Sequence, residues 1–273
     1  MYMMAVDSQT GKTAEKMRRL SIQWWAAAGL CLMILLGGFS AFCLGRPRLN
    51  TFQWVSQSTV IMIYVLVLLR YSLGWNYHPD QKVLHSTLGY GTWLTIIRGA
   101  LIAVLAGYLF QIWPESEFFP GHLSWIPGLL YIMASMLDFF DGRVARACRQ
   151  ETRLGAFMDI KLDALGLLIA PLVAVWYGRL PIAYLSVGLA YYIINVAIWL
   201  RKKFSKPVAE IKPWQGARLI AGFQMGFVGF ALLPIVKSQV TLLTAYIVMI
   251  PLLAGFARDW MMVCGYRNLQ QRY

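Results

Sequence analysis

Eight apolar runs follow one another along this chain, at roughly 22–44, 53–75, 92–113, 125–147, 153–177, 181–200, 215–236 and 239–263. No other feature narrows the fold as far. A helix needs about 20 mostly apolar residues to cross the hydrocarbon layer of a bilayer. Backbone groups in that layer must be satisfied inside the segment, so a series of such runs dictates helices. The expectation is an all-α, polytopic integral membrane protein of about eight transmembrane helices. Only 14% of residues are charged, against about 25% in soluble domains. The first run exceeds the 7–15 or so apolar residues of a signal peptide and is read as a retained helix.

The formal net charge is +13. The basic residues do not form one patch on a polar domain, as a nucleic-acid interface requires, but short clusters between apolar runs. That pattern speaks to topology, and no nucleic-acid partner is expected. With the N-terminus inside, the outer connections hold Arg46, Arg48, Arg179 and Lys237, and the inner side receives "KTAEKMRR", Lys82, "GRVARACRQETR", "RKKFSKP" and the C-terminal arginines. The excess puts both termini in the cytoplasm. The polar connection 76–90, "NYHPDQKVLHSTLGY", divides two N-terminal helices (1–90) from a six-helix block (91–273). Cys31, Cys43, Cys148 and Cys264 show no CxxC spacing and are read as buried free thiols, with neither zinc nor a disulfide framework expected. His78, His85 and His122 are scattered outside the apolar runs and are read as loop or interface residues.

Between the fourth and fifth runs stands "DFFDGRVARACRQETRLGAFMDIKLDA", Asp138 to Ala164, with four aspartates. Asp138 and Asp141, three apart, share a helix face, as do Asp159 and Asp163, four apart on the next helix. A hairpin around "ACRQETR" lets the two pairs face each other. A charge at the bilayer centre costs about 2.5–3.5 kcal/mol on insertion scales, so four clustered carboxylates need positive charge among them. Arg143, Arg146 and Lys161 are candidates, and an oxygen-rich cluster also suits one or two Mg²⁺ or Mn²⁺ ions. Gly142, Ala145 and Gly155 read either as close helix packing or as walls of a ligand slot.

Written out, the stretch is Asp138-x2-Asp141-Gly142-x2-Ala145-Arg146-x8-Gly155-x3-Asp159-x3-Asp163. Eight fixed positions at about 6% usage each arise by chance on the order of 10⁻¹⁰ per starting point. The pattern resembles the signature of the CDP-alcohol phosphotransferase family at every fixed position, over a block of about 91–273. The resemblance implies a six-helix membrane domain, commonly a homodimer, that moves a substituted phosphoryl group from a CDP-linked donor to an alcohol and releases CMP. It implies metal held by Asp138, Asp141 and Asp159, with Asp163 completing the site and acting as general base. Gly142, Ala145 and Gly155 would line the CDP slot, steadied by Arg146.

Two further segments bear on the substrates. "GTWLTIIR" resembles the third-helix start of members that use CDP-diacylglycerol, with Thr95 and Arg98 matching and Thr92 where Asn is usual. Arg98 also reads as an interfacial cation that snorkels. "IKPWQGARLIAGFQM" partly resembles a "GKxxTxxQ" segment of phosphatidylglycerophosphate synthases, with Arg218 for Lys, Ala221 for Thr, and Gln224 matching. Arg218, Arg258, Lys206 and Lys212 are candidates for holding an acceptor phosphate; positive-inside placement also accounts for them. Arg258 adjoins Asp259, but i,i+1 residues do not face each other on a helix.

The expected reaction is metal-dependent phosphatidyl transfer from CDP-diacylglycerol to a phosphorylated polyol, glycerol 3-phosphate first and inositol phosphate second. Membrane lipids surround the site, at the cytoplasmic face of a bacterial inner membrane. A free alcohol acceptor, a CDP-choline-type donor with diacylglycerol as acceptor, and a cation-binding transporter are the alternatives.

Overall fold

The computed structural model describes residues 2–45, 51–80, 83–111, 125–209, 215–235 and 237–264. They form eight α-helices: α1 (Tyr2–Gly45), α2 (Thr51–Ser72), α3 (Tyr90–Ala106), α4 (Ile126–Ala147), α5 (Arg153–Trp176), α6 (Leu185–Lys203), α7 (Gln215–Ala231) and α8 (Ser238–Val263). Short 3-10 turns, Leu73–Trp75 and Ile182–Tyr184, follow α2 and precede α6. Among the described residues there is no strand; one isolated bridge joins Tyr77 to Leu84. Every apolar run coincides with a helix.

Two boundaries differ from the sequence reading. α1 starts at Tyr2, so the polar N-terminal segment continues the first apolar helix. At 1.5 Å per residue its length is about 66 Å, twice the hydrocarbon layer of about 30 Å. α3 stops at Ala106, although apolar residues run on to 113. The chain turns at Gly107–Phe110 because α5 anchors it: the Tyr177 hydroxyl donates to the Tyr108 carbonyl at 2.6 Å, and the Trp176 indole N–H donates to the Gln111 carbonyl at 3.0 Å.

Among the described residues, four helical stretches are long and apolar enough to cross a membrane: Thr13–Cys43, Thr51–Trp75, Ile182–Lys203 and Ser238–Val263. Tyr90–Ala106 and Leu219–Ala231 are apolar but shorter. Large apolar side chains stand exposed on the outer helices, among them Leu32, Ile63, Val196 and Ile247. An apolar exterior of this kind fits lipid, since water-soluble surfaces rarely expose contiguous apolar patches of such extent.

α3 is the hub. Thirteen of its 17 residues are buried, and α1, α2, α4 and α5 all pack on it. Glycine makes the approach close. A Cβ on Gly99 would stand 2.9 Å from Val65 of α2 and 3.1 Å from Leu162 of α5. On Gly91 it would stand 2.8 Å from the Asp141 carbonyl of α4. α7 closes the far side of α4 and packs on α5, and α8 packs on α6 and α7.

Candidate active site

The α4–α5 turn sets the positions of the two carboxylate pairs. α4 ends in a left-handed cap: Arg149 has φ 52°, and the Gln150 N–H donates to the Ala145 carbonyl at 2.9 Å. α5 begins behind Thr152, whose hydroxyl accepts the Gly155 N–H at 3.1 Å. Beyond this turn the two helices touch little, because α3 lies against both. Asp138 and Asp141 therefore face Asp159 and Asp163 across a third helix, and the residue between them is Arg98.

Arg98 is 2% exposed and reaches all four carboxylates. Its guanidinium is paired directly with Asp138 and lies 3.0 Å from Asp159, 3.1 Å from Asp163 and 3.8 Å from Asp141. It also donates to the Asp159 main-chain carbonyl at 3.2 Å. The snorkelling reading of Arg98 is thereby overturned: the side chain turns into the bundle, where the carboxylates compensate its loss of hydration. One turn earlier, Thr95 donates its hydroxyl to Asp141 at 2.8 Å. Arg143 and Lys161 each engage an aromatic neighbour. Arg143 lies over the Phe139 ring at 3.7 Å, and Lys161 donates to the Tyr191 hydroxyl at 3.1 Å.

Two chambers meet at the cluster. The first, about 120 Å³, lies between the starts of α3 and α5 and the end of α4. It brings together Thr95, Gly142, Ala145, Arg146 and Gly155, with Gly91, Thr92 and Gln150 added. The second, about 520 Å³, opens between α4, α5 and α7, with Asp138 and Asp163 on one wall and Leu219, Ala221, Gly222 and Phe223 on the other. Asp141, Gly142, Arg146 and Asp159 belong to both. Gly142 leaves room for Arg146: a Cβ there would stand 3.3 Å from the Arg146 guanidinium.

The cluster suits a hard divalent cation. One carboxylate oxygen each from Asp138, Asp141 and Asp159 lie within 4.8 Å of one another. Four carboxylates against the one guanidinium they share leave a formal excess of three negative charges (four minus one). An all-oxygen, net-negative donor set is what Mg²⁺ and Mn²⁺ prefer.

The acceptor-phosphate candidates are not gathered in this way. Arg258 lines a separate apolar pocket with Ala217, Ile220 and Phe256, and pairs with Asp259 at 3.0 Å. The expectation that these neighbours do not interact is corrected: the long, flexible arginine side chain reaches the Asp259 carboxylate. Lys206 is exposed in the segment after α6 and lines neither chamber. Lys212 lies outside the described residues. Arg218 occupies the first turn of α7, directly before Leu219 of the second chamber. Gln224 is buried elsewhere, accepting from the Tyr184 hydroxyl and donating to the Val248 carbonyl.

The sequence reading missed Arg98 as the central cation. The signal was there, since Thr95 and Arg98 stand three residues apart and so share a helix face.

A Yersinia enterocolitica protein named CDP-diacylglycerol–glycerol-3-phosphate 3-phosphatidyltransferase is 38% identical over 99 residues, 34% of this chain and 50% of the relative. Proteins of the same name from Sodalis glossinidius and Pectobacterium atrosepticum are 33% identical over 102 residues and 38% over 89, covering 34% and 32% of this chain and 50% and 44% of theirs. The chain thus spans about half the length of the curated relatives it matches. No solved structure matches it. The family profile for CDP-alcohol phosphatidyltransferase matches residues 88–265, which take in α3 to α8 and every carboxylate of the cluster, and the chain belongs to that family.

Proposed function

We propose that the protein transfers a phosphatidyl group from CDP-diacylglycerol to the hydroxyl of glycerol 3-phosphate and releases CMP. The observation that carries the reading is the meeting of four aspartates at the boundary of two chambers. One chamber is walled by small residues and suits a flat nucleotide; the other adjoins α7 and suits the acceptor. The name shared by these relatives favours a phosphorylated acceptor over serine or choline.

In this reading CDP lies in the first chamber against Gly142, Ala145 and Gly155, with Thr95 and Arg146 beside it. Asp138, Asp141, Asp159 and Asp163 would hold Mg²⁺ or Mn²⁺, two ions in the fullest form. A bound divalent ion supplies neutralisation of charge on the transferring phosphoryl group and on the leaving oxygen. Asp163, on the wall of the second chamber, takes the proton of the acceptor hydroxyl as general base. The hydroxyl oxygen bonds to the phosphorus that carries diacylglycerol. The bond from that phosphorus to the bridging oxygen breaks, and CMP leaves with the electron pair. Arg218, on the first turn of α7, holds the acceptor phosphate, with Arg258, Lys206 and Lys212 as outer candidates.

The wider assignments rest on the same reading: eight membrane spans, an accessory segment 1–90 and a catalytic block 91–273, a homodimer amid membrane lipids, and both termini and the site at the cytoplasmic face of a bacterial inner membrane. CMP release by the full chain in liposomes tests the central claim, with CDP-diacylglycerol, Mg²⁺ or Mn²⁺, and single acceptors. Release with glycerol 3-phosphate is the expected result. Release with serine alone would refute the acceptor, and no release with any acceptor would refute the reaction.

A further inference from the structure

α1 and α2 precede the region that the family profile matches, yet they are tied to both walls of the first chamber. On one wall, the Gln23 side-chain carbonyl on α1 accepts the Leu88 main-chain N–H at 2.6 Å, two residues before α3 begins. The first turns of α3 then supply Gly91, Thr92 and Thr95 to the chamber. On the opposite wall, the Tyr77 carbonyl beyond α2 accepts the N–H of Arg153, the first residue of α5, at 3.0 Å. Trp75 meets Phe157 edge to face at 5.0 Å. The first turns of α5 supply Gly155, Ala156 and Asp159. The connection itself is closed on itself: the Asn76 amide donates to the Thr87 carbonyl at 2.9 Å, and the His85 N–H donates to the Asn76 carbonyl at 2.8 Å. α1 and α2 are in turn joined on the same side, where Arg70 donates to the Ser21 hydroxyl at 2.9 Å.

The chamber needs such a brace. Its third support is the Gln150 side chain, which accepts the Tyr90 N–H at 3.1 Å and itself belongs to the chamber lining. The start of α3 is therefore held from two sides, by Gln23 and by Gln150. Losing one frees the helix start to move relative to α5, and the slot between Thr92 and Gly155 changes width. The Thr92 hydroxyl stands 3.5 Å from where a Cβ on Gly155 would lie, so shifts of about an ångström matter in a slot of this kind.

We propose that α1, α2 and the connection after them form a built-in brace that sets the width of the nucleotide chamber, with Gln23 as its positioning residue. This rests on the assignment of the first chamber to the cytidine diphosphate group. Gln23 touches no substrate; it acts through Leu88 and the start of α3.

The test is equilibrium binding of CDP to the full chain in nanodiscs with Mn²⁺, for the unsubstituted protein, Gln23→Ala and Gln23→Glu. One net hydrogen bond corresponds to roughly a three- to tenfold change in binding. Gln23→Ala is expected to weaken CDP binding by about that factor, and to raise the KM for CDP-diacylglycerol without raising the KM for the acceptor. Gln23→Glu keeps an acceptor oxygen for the Leu88 N–H and is expected to restore binding to within about twofold. Trp75→Ala, on the opposite wall, is expected to move donor binding in the same direction as Gln23→Ala. Equal CDP binding by Gln23→Ala and the unsubstituted chain overturns the brace alone. So does an equal rise in both KM values, which marks a general loss of structure. Failure of the unsubstituted chain to bind CDP overturns the chamber assignment, and the brace with it.

Discussion

Removing the Arg98 guanidinium should make the protein less stable without metal and a tighter binder of metal at once. The structure gives the size of the first effect. Arg98 is 2% exposed and has carboxylate oxygens at 3.0, 3.1 and 3.8 Å, with Asp138 in direct contact. At an effective dielectric of about 20, each such contact is worth roughly 4–6 kcal/mol of gross attraction. Mutual repulsion of the carboxylates and the desolvation of all five groups offset most of that. Buried pairs that lose one partner cost about 3–5 kcal/mol, because the remaining charge stays behind uncompensated. Arg98→Met keeps the length of the side chain and deletes the charge. In a chelator, its Tm is expected to fall by on the order of 10 °C, at roughly 2–4 °C per kcal/mol for a chain of this size. Mn²⁺ should then recover at least half of the loss and raise the Tm of the variant more than that of the unsubstituted protein. The reason is charge: the cluster goes from a formal excess of three negative charges to four. Thermal unfolding in detergent, with EDTA and with a series of Mn²⁺ concentrations, reads both effects. Arg98→Lys keeps a point charge without the planar fork and should fall in between. A Tm loss in EDTA of less than about 2 °C, or equal Mn²⁺ shifts in both proteins, would show that Arg98 does not balance the cluster.

Three further outcomes follow from the same geometry. Asp163→Asn should abolish CMP release while the protein stays folded and inserted in the membrane; retained turnover would remove Asp163 as the base. Gly91→Ala should cost about 1–3 kcal/mol by overpacking, since the added Cβ would stand 2.8 Å from the Asp141 carbonyl and 2.9 Å from the Ala145 Cβ, neither of which can swing away; chemical denaturation reads that loss, and an unchanged midpoint would refute it. Arg218→Ala should raise the KM for glycerol 3-phosphate by about tenfold, the scale of one charge-assisted contact, and leave that for CDP-diacylglycerol within about twofold; equal changes in both would refute an acceptor-phosphate role.

What the sequence made legible depended on how many helices a feature needs. Helix positions needed only one, and each apolar run delivered its helix. The aspartate pairs needed two, because three- and four-residue spacings fix a shared face and the short "ACRQETR" turn brings the faces near each other. Arg98 needed three helices, and no spacing within α3 says that this helix inserts between α4 and α5. The same limit explains the choice of Arg143 and Lys161 as counter-charges. They neighbour the aspartates in sequence, but Arg143 lies over Phe139 on the wall of the second chamber and Lys161 turns to Tyr191, while Arg98 from α3 takes the place between the carboxylates. The early end of α3 was hidden for another reason: it is set by hydrogen bonds from Trp176 and Tyr177, far along the chain. Arg258 was misread through a rule about Cβ directions, which a long flexible side chain evades.

These features converge on α3, and they constrain what α1 and α2 contribute. α3 must come close to α4 at Gly91, place Arg98 among four carboxylates, and hold Thr92 opposite Gly155. The face it turns toward α1 and α2 is largely small and apolar: Gly99 meets Val65, and Val104 meets the surface over Gly38. Lipid could cover that face at little cost, because acyl chains are as apolar as the side chains they would replace. Burial alone therefore gives no strong reason for two extra helices. Lipid tails offer no acceptor to the Leu88 N–H, however, and no rigid carbonyl to the first turn of α5. What α1, α2 and the connection after them supply beyond apolar cover is fixed polar contact at the mouth of the first chamber, where two helix starts must keep their spacing for the carboxylates behind them to meet.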